Sequence, residues 1–257
     1  WRVELRDIFT QSSLAALAAR IEPLRERLDH APPVFGGEIP LGPVQTAFLV
    51  DYPGPKEHFH QALLLAPDEA MIAEPLEQAV AAVIRHHDAL RLRYKQVDEQ
   101  WVQELVALGE VAATEVVDLT DVGDPQAQMR DHASARMART DLAHGPLFCA
   151  TLYRMAAGDR LLLAAHHLVV DGVSWRILVE DLHSAYVQAL AGTDIALAPV
   201  TDAYGNWAMA MRSAAQAMDD AQRTYWERAQ ADAGATLPLD HPHAVAMRQD
   251  RAEHRLT

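Results

Sequence analysis

The feature that most restricts the fold of this chain is an apolar strand pattern that passes directly into a helix pattern. Residues 160–165 read Arg-Leu-Leu-Leu-Ala-Ala, a continuous apolar run typical of a strand buried on both faces. His166-His167-Leu-Val-Val-Asp171-Gly172 follows at once. From there, apolar residues recur every three or four positions, at Trp175, Leu178, Val179, Leu182, Tyr186 and Leu190. We predict a buried strand, a tight turn and an amphipathic helix. Asp171 is expected to cap or ion-pair at the turn, and Gly172 to let the backbone bend or approach a neighbour closely.

Helix and strand patterns alternate along the rest of the chain. Asp68 and Glu69 open a helix pattern whose apolar side is formed by Ile72, Leu76, Val80, Val83 and Ile84. Strand patterns occupy residues 90–94, 101–106 and 112–117, and helix patterns occupy 125–140 and 219–233. Residues 146–154 and 160–166 predict an antiparallel pair. The elements together predict an α/β fold of two layers, an α+β sandwich in which helices cover a mixed sheet.

Charge and composition exclude several function classes. The 257 residues carry a formal net charge of −14, which disfavours nucleic acid and anionic lipid as partners because phosphates are neutralised by clustered Lys and Arg. The sequence has no apolar run of about 18 residues and no basic, apolar leader, so we expect no membrane span, no secretion and a cytoplasmic location. The single cysteine, Cys149, excludes an internal disulfide, and its apolar neighbours favour a buried, inert thiol.

The paired histidines are the candidate chemical groups. Histidine has an unperturbed pKa of about 6.5, so an imidazole at the edge of a core can take or give a proton near neutral pH. Adjacent side chains of a strand point to opposite faces, so His166 and His167 should differ in role, one meeting a cleft and the other fixed in the core. The alternative is that both are hydrogen-bonded structural histidines at a strand end.

Other groupings of reactive residues carry less weight. His58 and His60 would share one strand face, but no third ligand stands at a convincing spacing, so we expect no metal there. A solvated loop is the interpretation for the late histidines His241, His243 and His254. Ser174, His167 and Asp171 could compose a catalytic triad, but closeness in sequence is not triad geometry, and we do not favour it.

The motif His-His-x-x-x-Asp-Gly resembles the signature of the condensation-domain superfamily of nonribosomal peptide synthetases, which is related to chloramphenicol acetyltransferase. The phrase from Ala165 to Leu178 is most similar to epimerization domains, because Val173 stands where peptide-bond-forming relatives usually have Trp, and Trp175 follows two residues later. Residues 41–45, 86–91 and 202–207 resemble further motifs of the superfamily, in the right order. His86 departs from the Arg of condensing relatives, which agrees with an epimerization domain.

The resemblance implies a function and roles for the site residues. It implies epimerization of the Cα of a carrier-bound aminoacyl or peptidyl thioester, with His167 as the acid/base residue and His166 and Gly172 supporting it. Arg91 is the implied partner of Asp171, holding the loop in shape. Trp207 is favoured as a core aromatic over a substrate contact. The chain itself is expected to bind no cofactor or metal, since the 4′-phosphopantetheine arrives on the peptidyl carrier domain that is the partner, together with neighbouring synthetase modules.

The resemblance also implies a domain organisation. Residues 1–21 resemble the last helix of a peptidyl carrier domain, capped by Ser12 or Ser13, and an ordinary Ala-rich helix fits the periodicity equally well. Residues 22–40 have the Pro and Gly content of a linker. Residues 41–218 are expected to form the N-terminal, chloramphenicol-acetyltransferase-like lobe, and 219–257 the incomplete start of a second lobe. In the superfamily that lobe supplies a glutamate opposite the histidine, and no residue here can be assigned to it.

Two other functions stay open. A condensation domain would use the same histidine to position an amine and form an amide between two carrier-bound acyl groups, although the phrase from Val173 to Leu178 argues against it. The incomplete second lobe also allows a non-catalytic domain that binds carrier or partner proteins. The intact His167 argues against that alternative.

Overall fold

The computed structural model describes residues 5–21, 37–107, 113–200 and 202–232. The helices are α1 (Leu5–Thr10), α2 (Leu14–Ala18), α3 (Pro43–Asp51), α4 (Ala73–His86), α5 (Pro125–Ala138), α6 (Gly172–Leu190), α7 (Tyr204–Gln216) and α8 (Asp220–Asp232). The strands are β1 (Gly37–Ile39), β2 (His60–Leu65), β3 (Leu92–Val97), β4 (Gln100–Leu105), β5 (Thr114–Asp118), β6 (Phe148–Arg154) and β7 (Arg160–His166). Short 3-10 helices cover Lys56–His58 and Asp88–Arg91.

The central sheet has four strands in the order β2, β7, β6, β5. β7 pairs antiparallel with β2 and β6, and β5 runs parallel to β6, so the sheet is mixed as predicted. Every residue of β7 after Arg160 is buried, because helices and neighbouring strands cover it on both sides. The predicted antiparallel pair of residues 146–154 and 160–166 is confirmed as β6 and β7.

A second, three-stranded antiparallel sheet was not predicted. Its order is β1, β4, β3, and β3 and β4 form a hairpin whose turn contains Asp98 and Glu99 at φ values of 48° and 65°. The sequence patterns located β3 and β4 but could not separate them from the central sheet, because a strand pattern does not say which strand it pairs with. The fold is otherwise the expected α/β arrangement of a mixed sheet with covering helices.

Helices α4 and α6 pack on each other, and α4 also contacts β5 and β6. The apolar side of α4 is buried at Leu76, Ala79, Val80, Ala82, Val83 and Ile84. The predicted start at Asp68 is wrong, since α4 begins at Ala73 and Ile72 is 56% exposed. The backbone N–H of Met71 donates to Asp159 and that of Ile72 to the Tyr186 hydroxyl, so other elements hold this stretch outside the helix.

The predicted linker and the later part of the predicted second lobe lie largely outside the described residues. Ser13 caps α2 by accepting the backbone N–H of Ala16 at 3.2 Å, as predicted for one of two serines. α8 matches the helix pattern at 219–233, whereas most of the predicted linker and the late histidines His241, His243 and His254 fall in ranges that the structure does not describe. In the described ranges no helix has both the length and the apolar character needed to span a bilayer.

Candidate active site

The paired histidines lie where the central strand of the main sheet gives way to a helix. β7 ends at His166, residues 167–169 form a turn, and α6 begins at Gly172 with Asp171 as its N-cap. Asp171 Oδ1 accepts the backbone N–H groups of Val173 at 3.1 Å and Ser174 at 2.8 Å, and the Ser174 hydroxyl at 2.7 Å. These bonds, first of all the hydroxyl, lower the pKa of Asp171. The predicted cap at Asp171 is therefore confirmed.

His166 is a structural residue of the core. Its side chain is fully buried, its Nε2 lies 2.7 Å from the Lys56 carbonyl, and its Nδ1 lies 3.2 Å from the Leu168 backbone N–H. Because a carbonyl only accepts and a backbone N–H only donates, Nε2 carries the proton and Nδ1 is the acceptor. Burial lowers the pKa of His166 to about 4, so the ring is neutral near pH 7. Both ring nitrogens are used by backbone groups.

His167 has the geometry of a proton acceptor. Its Nδ1 lies 2.8 Å from the Val170 carbonyl, which only accepts, so Nδ1 carries the proton in the neutral ring. Its Nε2 then has a lone pair, and the side-chain nitrogen of Gln61 approaches it at 3.0 Å. The Phe59 ring stacks on the imidazole with centroids 5.1 Å apart and planes 10° apart. The expected division of roles agrees with this: His166 is held in the core and His167 is half-buried.

Gln61 is a member of the site that the sequence analysis did not identify. The indole N–H of Trp175 can only donate, and it lies 2.8 Å from Gln61 Oε1. That bond turns the amide so that its N–H group faces His167 Nε2. A proton arriving at Nε2 would oppose that N–H, so proton uptake requires Gln61 to move away from the lone pair. The sequence signal for this role was the position of Gln61 on β2, the strand that pairs with β7. The separation of 106 residues between Gln61 and His167 concealed their contact.

Stretches that the sequence analysis singled out converge around the turn. Gln45, from the first motif, lies 3.5 Å from the Leu168 carbonyl, which also accepts the Tyr94 hydroxyl at 3.1 Å. Asp88, from the second motif, accepts the backbone N–H of Tyr204 at 3.2 Å. Tyr204 belongs to the stretch 202–207. The structure therefore brings these separate stretches together around the strand end and α6.

The implied pairing of Arg91 with Asp171 is not found. Arg91 is 2% exposed, and one of its terminal N–H groups donates to the Val106 carbonyl at 2.9 Å. Burial lowers the Arg91 pKa, and the carboxylate that opposes this shift is Asp88. Oδ1 of Asp171 bonds to the start of its own helix. Among the described residues, Arg91 is not one of the hydrogen-bond partners of Asp171. The cap gives Oδ1 of Asp171 three partners within its own helix start.

Three more expectations are corrected. Trp207 is 44% exposed and packs on Tyr204 at a centroid distance of 5.6 Å, because α7 buries Gly205 and Ala208 instead. Gly172 has room around it: a Cβ there would meet nothing within 4 Å, and its φ is not positive, so neither a bend nor a close neighbour in this chain requires glycine. Cys149 is half-buried rather than fully buried.

The less favoured chemical groupings can also be located. The Ser174 hydroxyl bonds to Asp171 as part of a capping box, so Ser174, His167 and Asp171 do not form a triad. His58 lies in a 3-10 helix rather than on the strand that begins at His60, so the two do not share a strand face. His60 Nε2 lies 2.8 Å from the Thr140 hydroxyl.

Comparison with known proteins identifies the family. The family model described as Condensation domain matches residues 36–257. The chain belongs to the condensation-domain family. The predicted superfamily resemblance is thereby confirmed, and its expected fold agrees with that of solved members. This condensation-family domain is 34% identical to the epimerization domain from the third module of tyrocidine synthetase B, with a TM-score of 0.74 over 82% of this chain and 47% of that one.

Other relatives agree with the assignment to the family. The domain is 34% identical over 244 residues both to surfactin synthase subunit 2 of Bacillus subtilis and to tyrocidine synthase 2 of Brevibacillus parabrevis. Each match covers 93% of this chain but only 7% of the much longer relative. The first condensation domain of the calcium-dependent antibiotic synthetase shares the fold, with a TM-score of 0.64 at 20% identity, over 76% of this chain and 48% of that one.

Proposed function

We propose that this condensation-family domain takes part in epimerizing the Cα of an aminoacyl or peptidyl thioester carried on a peptidyl carrier domain. The observation that carries the proposal is the 34% identity to a solved epimerization domain, against 24% and 20% for solved condensation domains of the rhizomide and the calcium-dependent antibiotic synthetases. The sequence after the motif agrees, since Val173 replaces the usual Trp of peptide-bond-forming relatives.

The chemistry requires a base whose lone pair can reach the substrate carbon. A proton on the Cα beside a thioester is acidic because the resulting carbanion delocalises into the carbonyl. His167 Nε2 offers the lone pair, while the Val170 carbonyl fixes the other ring nitrogen as the protonated one. Proton transfer to Nε2 gives an imidazolium, which can return the proton. Gln61, now 3.0 Å from Nε2, must leave that position before Nε2 can take the proton.

Inversion also requires a proton donor on the opposite face of the carbon. The domain spans 47% of the solved epimerization domain, and the family resemblance assigns that donor to a glutamate in the second lobe. The 4′-phosphopantetheine of the carrier domain would deliver the thioester, so the partners are the carrier domain and the neighbouring modules. We therefore assign to the described residues only the proton transfer on the face of the substrate carbon that His167 meets.

The test follows the Cα proton directly. The chain is produced together with a complete second lobe, and its partner carrier is loaded with an L-aminoacyl or L-peptidyl pantetheine thioester in deuterated buffer. Mass spectrometry measures deuterium at Cα, and chiral chromatography measures the ratio of D to L product. We expect exchange and D product, both reduced about 10²–10⁴-fold in His167→Ala, because general acid/base groups contribute about that factor.

Controls separate chemistry from folding. His167→Ala must retain the circular dichroism spectrum and the urea midpoint of the parent protein. His144→Ala is the matched control, since the His144 side chain is 84% exposed and pairs with Asp141. Amide formation with an acceptor carrier, without exchange, would replace the proposal with a condensation function. Carrier binding without either reaction would replace it with a binding role.

A further inference from the structure

A second cluster of chemical groups, which does not include His167, lies at the junction of α4 and α6. A cavity of about 400 Å³ opens there, lined by residues from the end of α4, from α6 and from the segment around residues 198–200. His86, His87 and Asp181 are among its lining residues. The proposed epimerization uses none of these side chains.

The three side chains point ligand atoms at one another. His87 Nε2 lies 2.7 Å from Asp181 Oδ2, and the His86 ring stands perpendicular to the His87 ring with centroids 4.9 Å apart. One ligand atom from each of the three residues falls within 4.8 Å of the others. All three are half-buried, so they are partly desolvated yet open to the cavity.

Two imidazoles and one carboxylate form a recurrent donor set for borderline divalent metals. We propose that His86, His87 and Asp181 bind one Zn²⁺-type divalent transition-metal ion, with water from the cavity as the fourth ligand. In a tetrahedral site with metal bonds of about 2.0–2.1 Å, ligand atoms stand about 3.3 Å apart. The His87–Asp181 pair, at 2.7 Å, must open slightly, and the ligand atom of His86, which lies within 4.8 Å of the other two, must close by at most about 1.5 Å.

Other histidine–carboxylate pairs of the described residues lack a third ligand. His144 and Asp141 are close, at 2.8 Å, but both are exposed. His132 lies 3.4 Å from Glu115, whose carboxylate also binds Arg136. Within the described ranges, the group of His86, His87 and Asp181 is the one that places three such ligands together.

The ion would connect two helices that the fold already packs together. His86 and His87 lie at the end of α4, whereas Asp181 lies in the middle of α6, the helix that begins at the Asp171 cap. A metal here would stabilise the folded state by linking α4 to the helix behind the histidine motif. The proposal assigns the ion a structural role and does not depend on the epimerization proposed above.

The test uses metal binding and thermal stability rather than turnover. Tag-free protein is treated with EDTA, desalted and titrated with ZnCl₂, and mass spectrometry of the separated protein counts zinc per chain. We expect one equivalent that is lost in His86→Ala and in Asp181→Asn, the second of which preserves side-chain shape. At zinc concentrations of about 100 times Kd, the melting temperature should rise by about 5–10 °C.

The matched control is His144→Ala, which removes an exposed imidazole from a histidine–carboxylate pair. It should retain the zinc equivalent and the thermal shift. Co²⁺ as a second probe should give an intense visible absorption band of a tetrahedral site in the parent and the control only. Zinc bound equally by all four proteins, or no zinc bound by the parent at micromolar concentration, would overturn the proposal.

Discussion

The buried His166 should make the stability of the domain depend steeply on pH. Its pKa is about 4 in the folded protein, because burial opposes the charged form, and about 6.5 in the unfolded chain. As the pH falls, the unfolded chain therefore takes up this proton first. The contribution of the neutral His166 to the free energy of unfolding is fully present above about pH 6.5 and is lost as the pH falls towards 4.

The size of the effect follows from the two pKa values. A single histidine with these values reduces the free energy of unfolding by about 2 kcal/mol between pH 7 and pH 5, and by about 3 kcal/mol once the pH is below 4. The interval from pH 7 to pH 5 is the one to measure, because few carboxylates titrate within it. Urea unfolding monitored by circular dichroism at pH 7 and pH 5 measures the difference directly.

His166→Gln isolates this contribution. The variant has no ionisable group, yet its amide N–H can still donate to the Lys56 carbonyl that now accepts from His166 Nε2. Other histidines, including His87, are common to both proteins and cancel in the comparison. The parent should therefore lose about 2 kcal/mol more than His166→Gln between pH 7 and pH 5.

An equal loss in both proteins would refute the argument, since His166 would then titrate as in the unfolded chain. A second measurement guards against a variant that does not fold. Proton NMR of the parent should contain an imidazole Cε1–H signal that nearly keeps its chemical shift from pH 7 to pH 5 and that is absent from His166→Gln.

Further variants test the contacts around the turn. Gln61→Leu should lower the free energy of unfolding by about 1–3 kcal/mol, because it leaves the buried Trp175 N–H without a partner; the loss should shrink in a Trp175→Phe background, and an undiminished loss would contradict the hydrogen-bond chain. Asp171→Ala should cost about 1 kcal/mol in urea unfolding, whereas Asp171→Asn should retain the cap, and equal losses would indicate a role for the charge. Gly172→Ala should keep or raise the melting temperature, because its Cβ meets open space, and a lower value would reveal a hidden contact. Glu99→Gly should stabilise the β3–β4 hairpin by about 1 kcal/mol in thermal unfolding, because φ is +65° there, and no gain would show that the turn is unstrained.

The parts of the site that the sequence predicted are those specified over short distances along the chain. The strand β7, the turn and α6 occupy consecutive residues, and the Asp171 cap bonds to groups only two and three residues away. Periodicity and capping patterns report such local interactions. The bounds of α4 were less accurate, because Asp159 and Tyr186 hold the residues before Ala73 from distant parts of the chain.

The parts that the sequence did not reveal depend on long-range pairing. Gln61 reaches His167 because β2 pairs with β7, and the metal ligands of α4 reach Asp181 because α4 packs on α6. No local sequence pattern encodes either of these contacts. The same holds for Arg91: the resemblance supplied a partner for it, but Oδ1 of Asp171 bonds to its own helix start.

The contrast between the two histidines shows what a motif can and cannot assign. Sequence alternation predicted that they face different surroundings, but it could not say which of the two keeps a lone pair for chemistry. The backbone decides it: both nitrogens of His166 bond to main-chain groups, whereas His167 bonds to the main chain through Nδ1 alone. Loss of His166 therefore removes two hydrogen bonds to the main chain, whereas loss of His167 removes one to the main chain and the contact with Gln61, together with the candidate base. A folded His167 variant can thus report on chemistry, whereas an inactive His166 variant reports first on folding.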